Sequence, residues 1–135
     1  MAVRAAEVFE HSDGVLDLDD IEPLHDMRVA TRRLRAALEV YAPCFPSKRH
    51  RKALKRVKRL ADALGERRDR DVAIEFLVGF AAEAPSADRA AVEKLIVRLR
   101  HEQRRANEEL APFLTAKRLT KLRRRLRRLV GAVKR

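Results

Sequence analysis

Residues 25–38, HDMRVATRRLRAAL, place one histidine and three arginines where a helix would bring them to one side. At about 100° per residue, the four side chains fall within roughly 80° of one another. No carboxylate stands between Met27 and Leu38 to balance them. Guanidinium groups bind phosphate oxygens bidentately and stay charged at all working pH values. These residues, called the cationic row below, therefore predict a polyanionic partner: His25, Arg28, Arg32 and Arg35.

Blander interpretations of the cationic row stay open. Its arginines are equally compatible with a solvated helix face, or with pairing to acidic residues of other helices. A lone histidine on a helix is more often a packed or surface residue than a ligand. Metal binding by His25 lacks partners, because no other histidine stands at a metal-ligand spacing from it.

The charge of the chain is large and unevenly distributed. The 135 residues carry 32 basic and 20 acidic side chains, for a net charge of +12. Residues 1–30 hold two basic and eight acidic residues, whereas residues 31–135 hold 30 and 12. Such asymmetry favours nucleic acid, an anionic membrane or a polyphosphate as partner, with the acidic residues 13–20 available to shield part of the surface. The absence of tryptophan and the scarcity of aromatics disfavour base stacking.

Length and composition predict one domain over residues 1–135. Cys44 is the only cysteine, which excludes an intramolecular disulfide and a cysteine-built zinc site. Because no apolar run approaches the ~20 residues of a membrane span, we expect a cytoplasmic protein without membrane association.

The apolar periodicity is helical almost throughout and predicts an all-α, antiparallel bundle of about five amphipathic helices. We expect Gly65 to end one helix, and Ser47 and Ser86 to cap two others. The helix that ends at residue 84 has a nearly continuous apolar stripe and is expected to be the most buried. A short helical start over residues 2–10 precedes the five predicted helices, which span residues 23–41, 48–64, from Asp69 or Asp71 to 84, 87–110 and 116–133.

Three further helices carry basic stripes beside their apolar ones. Helical spacing groups Lys52, Lys55, Arg56 and Arg59 in helix 48–64, and Arg98, His101 and Arg105 in helix 87–110. The segment 117–135 contains ten basic residues and no acidic residue. If the stripes of several helices share one side of the bundle, they form a continuous cationic surface. Ordinary solvation, a nucleic-acid patch and a membrane-surface helix are the alternatives. The residues predicted to extend the cationic row are Lys52, Lys55 and Arg59, followed by Arg118, Lys121 and Arg125.

Between these stripes, residues 65–72 alternate basic and acidic side chains. We expect Asp69 or Asp71 to cap a helix, and their carboxylates to pair with arginines of neighbouring helices. The sequence contains no Gly-rich phosphate loop and no spacing that supports a Ser/His/Asp or Cys/His set. It therefore predicts no catalytic residues, no cofactor and no metal site.

Two segments together resemble the CHAD family, the conserved-histidine α-helical domains. In residues 25–38, the family's histidine is followed by arginine at the third, seventh and tenth positions. Residues 60–72, LADALGERRDRDV, resemble its later element through Leu64-Gly65, Arg68-Asp69 and Asp71-Val72. The resemblance implies a helical domain that binds inorganic polyphosphate through a basic surface and associates with polyphosphate granules.

The family's usual unit is about twice as long, and this chain resembles its first half. A fragment, a degenerate form or a short version that dimerises would each account for this, and we favour a homodimer. A nucleic-acid-binding module remains the main alternative function. A metal-binding or phosphate-processing domain is the other.

Arg32→Ala is expected to weaken polyphosphate binding while leaving helicity and melting nearly unchanged. A titration with labelled polyphosphate and a thermal melt followed by circular dichroism measure both effects. Unfolding of the variant would instead show that the row is structural.

Overall fold

The computed structural model describes residues 1–133, of which helices form the great majority and strands none. This confirms the all-α prediction. No helix in this range is both long and apolar enough to cross a membrane. The α-helices are α1 (Ala2–Glu10), α2 (Glu22–Val40), α3 (Ser47–Glu83), α4 (Ser86–Leu110) and α5 (Ala116–Gly131), with 3-10 helices at Ala42–Cys44 and Ala111–Leu114.

Four helices surround the main core. The helix α1 packs against α2 and α5, and α3 closes the ring by packing against the same two helices. Leucines and valines at helical spacing fill the space between them, among them Leu34, Leu64 and Leu126. The helix α4 runs back along α3 after a two-residue connection. The C-terminal part of α3 and the N-terminal part of α4, together residues 72–97, extend from the bundle as a hairpin that we call the arm.

The predicted break at Gly65 is wrong, because α3 runs unbroken through that residue. Glycine costs about 1 kcal/mol in a helix interior relative to alanine, which tertiary packing readily offsets. Buried positions continue at helical spacing on both sides of it, through Leu60, Leu64 and Arg67. Among the described glycines, Gly14 alone has a positive φ. Residue 65 thus lies in the middle of a helix, where it has no capping role.

The predicted caps and burial near this helix also differ from the structure. Ser47 and Ser86 are the first residues of their helices, after Pro46 and Pro85, and make no capping side-chain bond. Asp69 and Asp71 lie in mid-helix. The segment expected to be most buried is instead exposed, with a Phe76 side chain that is 68% accessible. At this end α3 packs against α4. The segment has more apolar residues than positions facing α4, so several of them remain exposed.

A fully buried arginine of α3 connects the α1–α2 loop with α4. The Arg67 guanidinium donates to the Asp71 carboxylate at 2.9 Å and to the Asn107 side-chain oxygen at 2.7 Å. It also donates to the backbone carbonyls of Val15 and Asp17, at 2.9 and 3.0 Å. Gln103 donates to the same Asp71 oxygen at 2.6 Å. This Arg67 cluster fixes the α1–α2 loop and α4 on α3, and Asp71 pairs within its own helix rather than across helices as predicted.

Arg67→Met is expected to lower the free energy of unfolding by about 3–5 kcal/mol, because it leaves the buried Asp71 carboxylate without its cation. Urea denaturation followed by circular dichroism measures the change. The matched control is Arg70→Met, which removes a partly exposed pair with Glu66 and is expected to cost at most about 1 kcal/mol. Equal losses in the two variants would contradict this assignment.

Candidate functional site

Basic side chains line a groove along the seam between α3 and α5. One cleft there, of about 290 Å³, has walls of Lys52, Lys55, Arg56, Arg59, Leu60, Phe113, Arg118, Leu122 and Arg125. An adjoining cleft of about 880 Å³ shares Lys52 and Arg125 and is further lined by Lys48, Arg49, Lys121, Arg124, Arg128, Gly131 and Ala132. Together they form the α3–α5 groove, whose lining in the described chain includes no carboxylate.

The two helices present these cations because their apolar residues face inward at the same spacing. On α3, Val57 and Leu60 are buried while Lys52 and Arg59 remain exposed. On α5, the buried residues are Leu122, Leu126 and Leu129. Each helix therefore has a core side and a cationic side, and packing the core sides brings the cationic sides together.

The start of α5 is held in place by two local interactions. The Thr115 hydroxyl caps the helix by accepting a hydrogen bond from the Arg118 backbone N–H at 3.3 Å. The Arg118 guanidinium carbon lies 4.8 Å from the centre of the Phe113 ring, a cation–π contact. These contacts orient Arg118 at one end of the groove.

Charge crowding within the groove is visible at Arg56. Partial burial and the positive charges of Arg125, Arg118 and Arg59 lower the pKa of the Arg56 guanidinium from its ordinary value. Nearby, the buried Nε of Arg125 has no hydrogen-bond partner among the described residues. The folded chain thus holds repelling cations and an unused donor, both of which an anionic ligand would satisfy.

The cationic row lies outside this groove, on α2. The Arg28 Nε lies over Gly65 of α3, 4.0 Å from the position that a Cβ would take there. Arg32 is exposed. Arg35 was expected to have no carboxylate beside it. In the structure its Nε lies 3.3 Å from the Glu39 carboxylate, one turn further along α2. His25 is partly buried, and its Nδ1 has no partner within residues 1–133.

The outer face of α3 connects the groove with α2. Arg51, Lys55, Lys58 and Arg59 line a shallow depression on this face. Lys58 also approaches Glu39 at 3.9 Å, beside Arg35. The structure therefore brings the predicted residues of α3 and α5 into one groove and leaves the row of α2 on an adjoining surface.

The basic stripe of α4 does not join this surface. Arg98 lies 3.8 Å from Glu102, and Arg105 lines a cleft with Glu66, Arg70, Glu102 and Glu109. Acidic side chains are interspersed there as on an ordinary solvated face. The cationic surface predicted from several helices is thus built mainly from α3 and α5.

Sequence reasoning did not list several of the residues that line the groove. The helical spacing marked Arg56 as part of the stripe, but nothing in the sequence showed that it would be the most crowded cation. Arg124 and Arg128 follow Lys121 at the same spacing and line the second cleft. His50, within a basic run, has a structural role: its ring Nε2 donates to the Leu38 carbonyl at 2.6 Å and the ring stacks on Phe45.

Comparison with known proteins identifies the family. The chain belongs to the CHAD domain family, whose model matches residues 2–135. The CHAD domain is associated with polyphosphate- and triphosphate-related proteins. No curated protein and no solved structure matches the chain significantly.

Raising the sodium chloride concentration is expected to raise the Tm of the ligand-free protein, because salt screens the repulsion between groove arginines. Arg56→Gln is expected to raise the Tm at low salt by about 2–4 °C and to reduce its salt dependence. Differential scanning calorimetry measures both effects. The control Arg100→Gln removes an exposed charge from α4 and should retain the wild-type salt dependence. A Tm insensitive to salt would show that the cations do not oppose folding.

Proposed function

We propose that this CHAD-domain protein binds inorganic polyphosphate in the α3–α5 groove without catalysing its breakdown. The observation that carries the proposal is a continuous run of cations over two adjoining clefts, with no carboxylate among the described lining residues. The family's association with polyphosphate- and triphosphate-related proteins supports the same ligand class.

The chemistry of the groove suits a chain of phosphates. Successive turns of α3 present cations about 5.4 Å apart, and each arginine can hold phosphate oxygens through two parallel hydrogen bonds. A bound chain would accept from the unused Nε of Arg125. It would also offset the repulsion that lowers the pKa of Arg56. Ligand binding therefore relieves costs that the folded protein already carries.

The same lining favours a bare phosphate chain over nucleic acid. Single strands gain much of their affinity by stacking bases on aromatic side chains. Phe113 is the aromatic residue among the described lining, and the Arg118 guanidinium lies over its ring. The Phe113 ring is thus already covered and offers no stacking surface to a base. Polyphosphate has no bases and keeps its full affinity, whereas a nucleic acid would be held by its backbone alone.

A long polyphosphate would also reach the cationic row. From the groove it would pass over Lys55 and Lys58 on the outer face of α3 and then meet Arg32 on α2. Arg28 and Arg35 would contribute at the α2–α3 seam, the latter in competition with Glu39. The row thus serves as a second contact region whose contribution grows with chain length.

A binding role fits the distribution of metal-ligating groups. In the part of the chain that the structure describes, no three His, Cys, Asp or Glu side chains are grouped so as to hold a metal ion. Hydrolysis of phosphoanhydrides commonly relies on divalent metal held by carboxylates. We propose a non-catalytic module and, from the family's association with polyphosphate-related proteins, a location in the cytoplasm on polyphosphate granules.

The double variant Arg56→Ala/Arg125→Ala is expected to weaken binding of labelled long-chain polyphosphate by tenfold or more, since each charge-assisted hydrogen bond contributes about 1.5–3 kcal/mol. Its binding should also depend less steeply on salt, because fewer counterions are released. Fluorescence anisotropy at several salt concentrations measures both quantities.

The matched control is Arg100→Ala/Arg104→Ala, which removes the same charge from exposed positions on α4. We expect its affinity to stay near that of the wild type. Unlabelled single-stranded DNA, duplex DNA and triphosphate at equal phosphate concentration then compete with the bound probe. Equal competition by DNA, or an equal loss in the control, would show a generic cationic surface and overturn the proposal.

A further inference from the structure

The arm exposes an apolar stripe that the other residues in the range 1–133 leave uncovered. Val72, Phe76 and Phe80 recur every four residues on α3, so they share one side of the helix. The Phe76 and Phe80 side chains are 68% and 50% accessible, and their rings stack with centroids 6.5 Å apart. Val78, Leu95 and Val97 add exposed apolar surface on the same hairpin.

The exposed stripe has the size of patches that often serve as functional surfaces. A phenylalanine presents about 200 Å² when fully accessible, so the stripe of Val72, Phe76 and Phe80, which are 46%, 68% and 50% accessible, exposes about 300 Å² of contiguous apolar surface. Monomers rarely expose contiguous patches larger than about 300–600 Å², and patches of that size are often functional. Two helices packed only on each other cannot cover both of their sides, whereas four helices can.

A glycine lies on the same side of α3. Gly79 stands between Phe76 and Phe80, and a Cβ added there would meet no atom of the described chain within 4 Å. It is helical, with none of the positive φ that requires glycine. Glycine weakens the helix at this position without any benefit within the chain. What it does permit is the close approach of another backbone.

The charge of the arm indicates which kind of partner could cover its apolar stripe. Residues 72–97 contain four acidic and two basic side chains, in a protein whose net charge is +12. Polyphosphate and an anionic membrane would both be repelled by this surplus of acids. A second copy of the chain meets strong repulsion wherever its basic surfaces face each other, but little at the arm, where both signs occur.

We propose that the arm is the interface with a second copy of this chain. Two arms pack their Val72–Phe76–Phe80 stripes against each other about a twofold axis, with Gly79 of each at the close contact. The product is a four-helix bundle with self-complementary surfaces. Small interfaces bury up to about 600 Å² per partner, a size that the apolar stripe and the polar residues along its edges can supply together. The α3–α5 groove lies at the other end of α3 and stays open in both copies.

Light scattering after size exclusion, over a range of micromolar concentrations, tests the interface without any phosphate ligand. The wild type is expected to have twice the 15.5 kDa mass of one chain. Phe76→Glu/Phe80→Glu is expected to have the single mass with helicity unchanged. The matched control Val3→Glu/Val40→Glu alters side chains that are 69% and 71% accessible on α1 and α2, and should remain dimeric.

A further variant separates close packing from simple apolar adhesion. Gly79→Ala adds one methyl group and improves helix propensity, yet we expect it to shift the dimer towards monomer. A monomeric wild type at all concentrations, a dimeric Phe76→Glu/Phe80→Glu or dissociation of the control would each overturn the proposal. So would a monomer whose arm binds uncharged phosphatidylcholine vesicles, which would identify a lipid face. None of these outcomes depends on whether the groove binds polyphosphate.

Discussion

The buried guanidinium of Arg67 is the interaction on which the arrangement of this fold depends. It is inaccessible to solvent, and its hydrogen bonds reach Asp71, Asn107 and two carbonyls of the α1–α2 loop. An unpaired charge at this depth would be too costly to bury, so loop, α3 and α4 must all be in place together. The loop fixed there also carries acidic residues, which are thereby kept near this cluster and away from the groove formed by Lys52 and Arg125.

The helices that build the core also build the cationic groove, and the two roles oppose each other. Packing Leu60 against Leu122 buries apolar surface, but it also brings Arg56 near Arg118 and Arg125. The protein tolerates this repulsion because burying the apolar inner sides of the helices gains more free energy than crowding the cations on their outer sides costs. A polyphosphate ligand would convert this cost into affinity, since neutralising the groove removes an electrostatic repulsion that disfavours the packed state.

Much of the fold was readable from the sequence because amphipathic periodicity reports directly on burial. The bounds of α2, α4 and α5 agree with prediction to within one or two residues. Gly65 was misjudged because its local preference is weaker than the packing of Leu64 and Arg67 on either side. The exposure of Phe76 was misjudged because a stripe records which residues are apolar, and not whether a neighbouring helix is there to cover them. Similarly, spacing identified Arg56 as a surface cation, but its crowding depends on which helix lies beside α3.

The unbroken course of α3 has a consequence for the spacing of residues along the chain. A helix of 37 residues is about 55 Å long, and it carries groove residues at one end and the arm at the other. In an unbroken helix each residue is rotated by about 100° from the one before it, so the number of residues between two positions fixes the angle between their side chains. Inserting a single residue after Asp71 would rotate Phe76 by about 100° relative to Arg56, although every side chain remained the same. The number of residues between the two ends is therefore constrained as strictly as their identities.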